Sequence, residues 1–222
     1  QAVRCQRNGF RVGAGALPWG DDECVDWRLE LEECAEGACS DAPSMALADD
    51  GATLWVSLEE ADRVVEVDTA TGALTGRSVD VESPRPLATD GQGTLWIGGM
   101  NGWLHPVPLQ EPVTDEDDDL LAASGIGVLE LAPDGSLYTA SPPARLEPGG
   151  DALLTFQGDD TPHAILGLVA DVGGDLWASY DFETLSRWSP DLDEVDTFTV
   201  GSSPQTLALD RDGMLWAATD AP

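Results

Sequence analysis

Short apolar runs alternate with polar, glycine-containing turns along most of the chain. In five places an apolar run is followed by a turn and then by a short strand-like segment in which Leu precedes an aromatic residue. These segments read DDGATLWVS, DGQGTLWIG, APDGSLYTA, DVGGDLWAS and DRDGMLWAA. Short runs of β-branched and aromatic residues bounded by Gly and Asp are typical of β-strands. The pattern therefore predicts an all-β protein.

The aromatic residue of the five segments recurs at a nearly constant interval of 39 to 42 residues. A fixed period in this range, with two weaker strand signals such as RVVEVDTATGALTGRSVDV after each aromatic strand, is typical of four-stranded propeller blades. We assign these aromatic residues to blade packing. They are Trp55, Trp96, Tyr138, Trp177 and Trp216.

A turn aspartate precedes the aromatic residue by six positions in four of the five segments, and Ala132 takes its place in the third. A short carboxylate at a turn accepts hydrogen bonds from nearby backbone amides, so we predict a structural role for it. The four residues are Asp49, Asp90, Asp171 and Asp210.

The repeats predict one β-propeller domain over residues 1–222, with five blades. The fifth repeat ends after two strands, and the N-terminal residues contain Asn8-Gly9, a strong hairpin turn that would let them close the last blade. Closure removes exposed strand edges. Six or seven blades are the alternative if the natural chain continues past Pro222. The predicted blades are at about residues 42–85, 86–124, 125–161 and 162–200, with a fifth that combines 201–222 and 1–17.

All four cysteines, Cys5, Cys24, Cys34 and Cys39, lie near the start of the chain. An even, clustered set predicts two disulfides and an oxidising compartment, and a zinc site of four thiolates is the alternative. We favour Cys34 with Cys39 and Cys5 with Cys24, although three pairings are open. Residues 18–41 fit no blade and are predicted to be a disulfide-pinned excursion. The start at Gln1 rather than Met fits a mature secreted chain, so we expect an extracellular, cell-surface or periplasmic location.

The charge is strongly negative, with 42 acidic residues, 10 basic residues that are all Arg, and a net charge of −32. Nucleic acid and anionic lipid both need a cationic patch, so we expect neither as a partner. No run approaches the roughly 20 apolar residues of a membrane helix, so we expect no membrane insertion. The acidic run containing Asp115, Asp117 and Asp119 is a candidate calcium site, but its spacing favours a solvated turn, and we expect no other cofactor.

The segments SPQTLALDRDGMLWAA and SPRPLATDGQGTLWIG resemble the streptogramin-lyase and NHL-type propeller repeat, over about residues 42–222. This repeat family contains enzymes, sensors and interaction scaffolds. In the lyases, His and Glu side chains with a divalent cation support elimination from a cyclic peptide. His163, in TPHAIL, is similar to the Pro-His-x-Ile setting of the family, His105 has no matching blade position, and Glu59 and Glu60 are a loose counterpart of its glutamate stretch.

Propellers generally bind ligands at the face formed by the connections into the inner strands and those after the Leu-aromatic strands. Loops on a rigid scaffold carry function, and cationic or titratable side chains are scarce here. Our ligand-binding candidates are Arg85, His163, Gln205, Tyr180 and Asp181. The same face is predicted to include Glu59, Glu60, Asp62, Arg63, Asn101, Glu183 and Asp220. Trp19 and Trp27, in the excursion, are partner-contact candidates.

The fold signature is complete, whereas catalytic motifs such as Gly-x-Ser-x-Gly, a phosphate loop or His-Glu-x-x-His do not occur. We therefore predict a secreted or cell-surface binding or assembly module without catalysis, whose partner is a protein or a cell-envelope component. The alternative is a divalent-metal-assisted lyase or hydrolase centred on His163.

Overall fold

The computed structural model describes nine stretches of the chain and contains five antiparallel sheets, A to E, in chain order. Sheets A to D each have four strands and sheet E has two, and within every sheet the strands follow one another in sequence. The all-β propeller prediction is confirmed. The described residues are 44–48, 51–110, 120–121, 126–140, 143–148, 153–155, 165–180, 183–210 and 212–219.

The strands are short and most are separated by tight turns. Sheet A contains β1 (Met45–Leu47), β2 (Thr53–Leu58), β3 (Arg63–Asp68) and β4 (Leu74–Asp80), with a 3-10 turn at Glu59–Ala61. Sheet B contains β5 (Pro84–Thr89), β6 (Thr94–Gly99), β7 (Trp103–Pro108) and β8 (Leu120–Leu121). Sheet C contains β9 (Leu129–Leu131), β10 (Leu137–Thr139), β11 (Ala144–Leu146) and β12 (Leu153–Thr155). Sheet D contains β13 (Ile165–Ala170), β14 (Leu176–Tyr180), β15 (Thr184–Trp188) and β16 (Glu194–Thr199), and sheet E contains β17 (Pro204–Leu209) and β18 (Leu215–Thr219).

The sheets follow the predicted blades closely, except that sheet B begins at Pro84, two residues before the predicted start of that blade. Sheet E has the two strands predicted for the end of the chain. Residues 1–17 and the excursion at 18–41, with all four cysteines, lie outside the described residues. The number of blades and the extent of the domain therefore stay predictions.

The strand register places the five repeat aromatics at one equivalent position, opposite the last residue but one of the first strand of each sheet. Trp55 lies opposite Ala46, Tyr138 opposite Glu130, and Trp216 opposite Ala208. Trp96 and Trp177 lie opposite Ala88 and Val169. Each repeat of the sequence therefore corresponds to one sheet.

The core lies between consecutive sheets, which contact one another through their first strands. Trp55 of sheet A is fully buried and belongs to the same cluster as Leu87 and Leu95 of sheet B. Tyr138 of sheet C is buried in the same cluster as Leu168 of sheet D. Burying a large apolar side chain contributes roughly 2 to 3 kcal/mol, so these two contacts stabilise their junctions in the same way.

Polar side chains tie the first strands of sheets A and B together near one end. The buried Ser57 hydroxyl donates to the carbonyl of Arg85 at 3.0 Å, and it accepts from the backbone N–H of Ser44 at 3.0 Å. The Ser44 hydroxyl in turn accepts from the backbone N–H of Leu87 at 3.2 Å. The first strand of each sheet has no further strand to pair with on its inner side. The two serine hydroxyls therefore supply hydrogen-bond partners for its backbone groups.

The described ranges include no helix with the length and apolar character needed to cross a membrane.

Candidate functional site

The repeat aspartates lie in the tight turns that join the first and second strands of each sheet. Asp90 Oδ1 accepts from the backbone N–H groups of Gln92 and Thr94 at 2.8 and 3.0 Å. Asp90 Oδ2 accepts from the indole N–H of Trp96 at 3.2 Å. Asp171 and Asp210 make the same bonds, with indole distances of 3.3 and 3.1 Å to Trp177 and Trp216. Asp49 lies outside the described residues.

These bonds explain why Asp and Trp occur together in the repeat. One carboxylate holds the turn and orients the indole, and the backbone N–H of Met214 and the indole N–H of Trp216 lower the pKa of Asp210. In sheet C, where Ala132 replaces the aspartate, the aromatic residue is Tyr138. Its hydroxyl donates to the carbonyl of Pro190, in sheet D, at 3.4 Å. The third repeat therefore departs from the pattern at two positions for one reason: it has no aspartate to accept from an indole, and its aromatic residue is a Tyr that bonds elsewhere.

Three of the five arginines within the described residues stack on repeat aromatics. The guanidinium carbon lies 5.2 Å from the ring centroid of Trp55 for Arg77, and 5.9 Å from those of Tyr138 and Trp177 for Arg145 and Arg187. Cation–π contacts of this kind stabilise by about 0.5 to 1 kcal/mol at exposed sites. The other two are Arg63, which pairs with Asp80 at 2.8 Å, and Arg85.

Arg85 follows Pro84 at the start of β5 and lies on the predicted binding face. Its Nε is 2.9 Å from Glu59 Oε1, and the two side chains are 43% and 29% exposed. An exposed pair of this type contributes at most about 1 kcal/mol, so the pair can open when a ligand approaches. The structure thus brings together Arg85 and Glu59, two members of the predicted set.

Two acidic residues of the predicted face determine the shape of its turns. Asp62 has φ +49° and Glu183 has φ +40°, both in the left-handed region that side chains other than glycine rarely adopt. The Asp62 carboxylate accepts from the backbone N–H of Ser83 at 2.8 Å. The carbonyls of Asp62 and Glu183 accept from the N–H groups of Val81 and Val200 at 3.0 and 2.8 Å. These contacts lock each turn to the strand entering the next sheet.

Asn101 holds the turn between β6 and β7. Its Oδ1 accepts from the backbone N–H of Trp103 at 3.1 Å, and its Nδ2 lies 3.5 Å from Glu82 Oε2. Met100 and Trp103, on either side, are 45% and 37% exposed. Neither Met100 nor Trp103 was among the predicted partner-contact residues, which were Trp19 and Trp27. The sequence did contain a signal for this turn. GGMNGW places a Met and a Trp between glycines, whereas the other turns of the face are acidic.

Tyr180 and Gln205 differ in their surroundings. Tyr180 ends β14 and is only 8% exposed, in the same cluster as Ile165, so its aromatic ring belongs to the core between sheets C and D. Gln205 is exposed at the start of β17 and donates from Nε2 to the Ser203 hydroxyl at 3.3 Å. Glu60 is exposed beside Glu59.

Several predicted site residues lie outside the described residues, and their roles stay predictions. Within the described ranges, no group of three or more His, Cys, Asp or Glu side chains is arranged to hold a metal ion. The described residues therefore do not form a site that fits the divalent cation implied by the resemblance. The residues outside the description are His163, Asp181, Asp220, Trp19, Trp27, Asp115, Asp117 and Asp119.

No protein-family model matches the chain, and no curated protein matches it. Several solved structures share its fold. A catalytically inactive virginiamycin B lyase from Staphylococcus aureus, with quinupristin, matches with a TM-score of 0.67 and 13% identity, over 80% of this chain and 63% of that chain. Hydrazine synthase from Kuenenia stuttgartiensis matches with a TM-score of 0.68 and 18% identity, over 77% and 53%. A chain of the mitotic checkpoint complex matches with a TM-score of 0.68 and 16% identity, over 81% and 57%.

The chain thus spans less than two thirds of the length of each of these three structures. At these identities the likeness concerns the fold alone. The protein has a β-propeller fold like that of the streptogramin lyases.

Proposed function

We propose that this protein is a non-catalytic binding or assembly module that contacts a protein or cell-envelope partner through the face carrying Arg85, Asn101 and Trp103. The observation that carries the proposal is the turn around Asn101. Its side chain bonds to the backbone of Trp103, and the exposed Met100 and Trp103 flank it on a fixed loop. Apolar and aromatic side chains on a preorganised surface are what a protein interface uses as anchors.

The polar groups of this face support the same proposal. Asp62 uses its carboxylate on the Ser83 backbone, and Arg85 is paired with Glu59. Both groups lie on turns whose backbone is fixed, so they can meet polar groups of a partner with little loss of conformational entropy.

The test compares two surface variants with wild type in capture experiments on fractionated cell-envelope proteins from the native source. Trp103→Ser and Met100→Ser remove the anchors, and Val172→Ser removes an apolar side chain that is 92% exposed in the turn between β13 and β14. We expect a defined partner to bind wild type and Val172→Ser and to be lost from the other two. A partner retained equally by all four proteins would contradict the proposed surface.

We propose a location outside the cytoplasm for the same protein. The support is the set of four cysteines within the first 39 residues, which fits two disulfides. Peptide mapping of the secreted protein under non-reducing conditions tests this, because two disulfide-linked peptide pairs are expected. Four free thiols in protein taken from its native compartment would count against it.

The second candidate function is a lyase or hydrolase centred on His163. It is favoured by the fold shared with the virginiamycin B lyase whose structure holds quinupristin. The test is incubation with quinupristin, with and without Mg²⁺ or EDTA, followed by mass spectrometry. Turnover that His163→Ala abolishes would support it, whereas intact quinupristin, or turnover unaffected by His163→Ala, would remove it.

A further inference from the structure

The turn with Met100 and Trp103 is joined by hydrogen bonds to two neighbouring loops of the same face. The backbone N–H of Met100 donates to the carbonyl of Ser83 at 3.2 Å. The backbone N–H of Ser83 donates to the Asp62 carboxylate at 2.8 Å. The two exposed apolar side chains therefore lie on one continuous surface, formed by the loops 59–62, 82–85 and 100–103.

These three loops carry an excess of negative charge, with four acidic residues and one basic residue. The basic residue is Arg85, which is already paired with Glu59 at 2.9 Å. Like charges that face each other across an interface oppose association, so this surface favours a positively charged partner. A second copy of this chain, with its net charge of −32, is disfavoured for the same reason. The other acidic residues of the loops are Glu60, Asp62 and Glu82, and all three are exposed.

Asn101 links an exposed aromatic residue to an exposed carboxylate. Its Oδ1 accepts from the backbone N–H of Trp103 at 3.1 Å, and its Nδ2 lies 3.5 Å from Glu82 Oε2. Gly99 makes room for this arrangement, because a Cβ at that position would collide with Asn101 Oδ1. One buttressed side chain therefore holds the backbone of Trp103 and the carboxylate of Glu82 close to each other.

The arginines of this protein show which cation suits an aromatic ring beside a carboxylate. Arg77, Arg145 and Arg187 stack on repeat aromatics at 5.2, 5.9 and 5.9 Å, and a carboxylate oxygen lies 3.8, 3.3 and 2.8 Å from a nitrogen of each. A planar guanidinium can stack and pair at once, whereas an ammonium is a compact charge without a flat face. Within the described ranges no arginine lies over Trp103, which is 37% exposed.

From these observations we infer that the partner presents a positively charged segment whose arginine stacks on Trp103 and pairs with Glu82. The inference rests on the proposed function, because it names the chemistry of the partner at the same surface. An apolar residue beside that arginine packs against Met100, whose flexible thioether side chain adapts to the shape of its neighbour.

Two kinds of force act at this contact. The attraction between a basic segment and the acidic loops is general, acts at a distance and is weakened by salt. Stacking on an indole with simultaneous pairing to one carboxylate is short-ranged and specific to a guanidinium. The proposed partner is therefore distinguished from other basic molecules by an arginine, and from other arginine-containing segments by its apolar neighbour.

The first experiment selects displayed random short peptides on the full-length protein and discards those that also bind Trp103→Ser. We expect the remaining peptides to be positively charged and enriched in arginine next to an apolar residue. Remaining peptides without arginine would overturn the inference but leave the proposed surface intact, because their binding still depends on Trp103. No remaining peptide would also overturn it. Capture of one partner equally by wild type, Trp103→Ser, Met100→Ser and Val172→Ser is the separate result that contradicts the surface itself.

The second experiment measures the Kd of a selected arginine peptide by fluorescence anisotropy. Glu82→Gln keeps a side-chain oxygen beside Asn101 and should weaken binding about fivefold, because the guanidinium loses its carboxylate. Asp191→Asn is the matched control, since it removes an exposed charge from the turn between β15 and β16, at the opposite end of the strands. It should weaken binding less than about twofold.

The same assay compares the selected peptide with one in which lysine replaces the arginine. We expect the lysine peptide to bind wild type about threefold more weakly, because an ammonium cannot stack and pair in the same way. Equal binding of the two peptides, or equal weakening by Glu82→Gln and Asp191→Asn, would show that only general charge attraction acts and would overturn the inference.

Discussion

Glu130 is a half-buried ionisable residue on the first strand of sheet C, and it makes the stability of the protein depend on pH. It lies on β9 opposite Tyr138, and its Oε1 accepts from the backbone N–H of Ala170, in the next sheet, at 3.1 Å. Burial raises the pKa of Glu130 from its ordinary value of 4.5 to about 7, and the hydrogen bond from Ala170 opposes this rise in part. The equivalent residues of the other sheets are Ala46, Ala88, Val169 and Ala208.

The direction of the effect follows from proton binding. Below pH 4.5 Glu130 is protonated in both the folded and the unfolded protein, and its contribution to stability is fully present. Between pH 4.5 and about 7 the unfolded chain releases this proton first, so the free energy of unfolding falls as the pH rises. Each pKa unit corresponds to about 1.4 kcal/mol, which gives a loss of about 1 to 3 kcal/mol after allowance for partial exposure of the side chain.

The variant Glu130→Gln keeps an oxygen that can accept from Ala170 but removes the titration. The free energy of unfolding is measured by urea denaturation with tryptophan fluorescence. We expect the difference between the variant and wild type to grow by about 1 to 3 kcal/mol in favour of the variant from pH 5 to pH 8. Glu60→Gln is the matched control, because it removes one negative charge from an exposed position. The effect of Glu60→Gln measures the general relief of charge repulsion, and it is subtracted from the effect of Glu130→Gln.

A stability difference between Glu130→Gln and wild type that stays constant from pH 5 to pH 8 would refute the reasoning. A variant that loses stability relative to wild type as the pH rises would refute it as well, because the buried carboxylate would then be favourable. A shift in the slope of the urea transition would show that the unfolded state had changed instead.

Three further changes test how the sheets are held. Asp90→Ala leaves three N–H groups without their acceptor and should lower the free energy of unfolding by about 1 to 3 kcal/mol, whereas Asp90→Asn, which keeps one oxygen, should lower it less. Ser57→Ala, which removes the hydroxyl that bonds to Arg85 in sheet B and to Ser44 beside sheet A, should cost about 1 to 3 kcal/mol in the same assay. Gly98→Ala should cost about 1 to 3 kcal/mol because its Cβ would lie 2.7 Å from side-chain carbons of Ile126 and Pro86. Gly127→Ala, with nothing within 4 Å, is its control and should be neutral or slightly stabilising.

The architecture was predictable because each sheet is built with the same contacts, and the residues that make those contacts recur in the sequence. The Leu-aromatic strand, its turn aspartate and the interval between repeats all reflect contacts between consecutive sheets. The blade bounds were predicted only approximately, and sheet B begins two residues before the predicted bound because Pro84 already pairs with Gly99 in β5 and β6. Proline is tolerated at the first residue of a strand.

The candidate site was predictable only in part, because position in a blade does not reveal which partner a side chain meets. The Arg85–Glu59 pair joins two sheets, and the sequence gives no measure of a distance across that junction. Tyr180 was expected on the binding face, but it ends its strand with the ring in the core, so the length of β14 decides its exposure. Asp62 and Glu183 were predicted on the face from their position in the blade, which does not reveal the left-handed backbone conformation that both adopt in their turns.

The residue two positions after each repeat aromatic links this packing to the proposed function. It is always small, and at Gly98 a single added carbon would collide with the neighbouring sheet, while Ser57 uses its hydroxyl to join two sheets. Small side chains allow the first strands to approach closely at the end of the sheets that carries the predicted face. The turn with Met100, Asn101 and Trp103 begins just after Gly98 and Gly99, so its exposed side chains are anchored to a closely packed part of the molecule. A rigid surface loses little conformational entropy on binding, which is the property that a binding module requires. The members of this small-residue set are Ser57, Gly98, Ala140, Ser179 and Ala218.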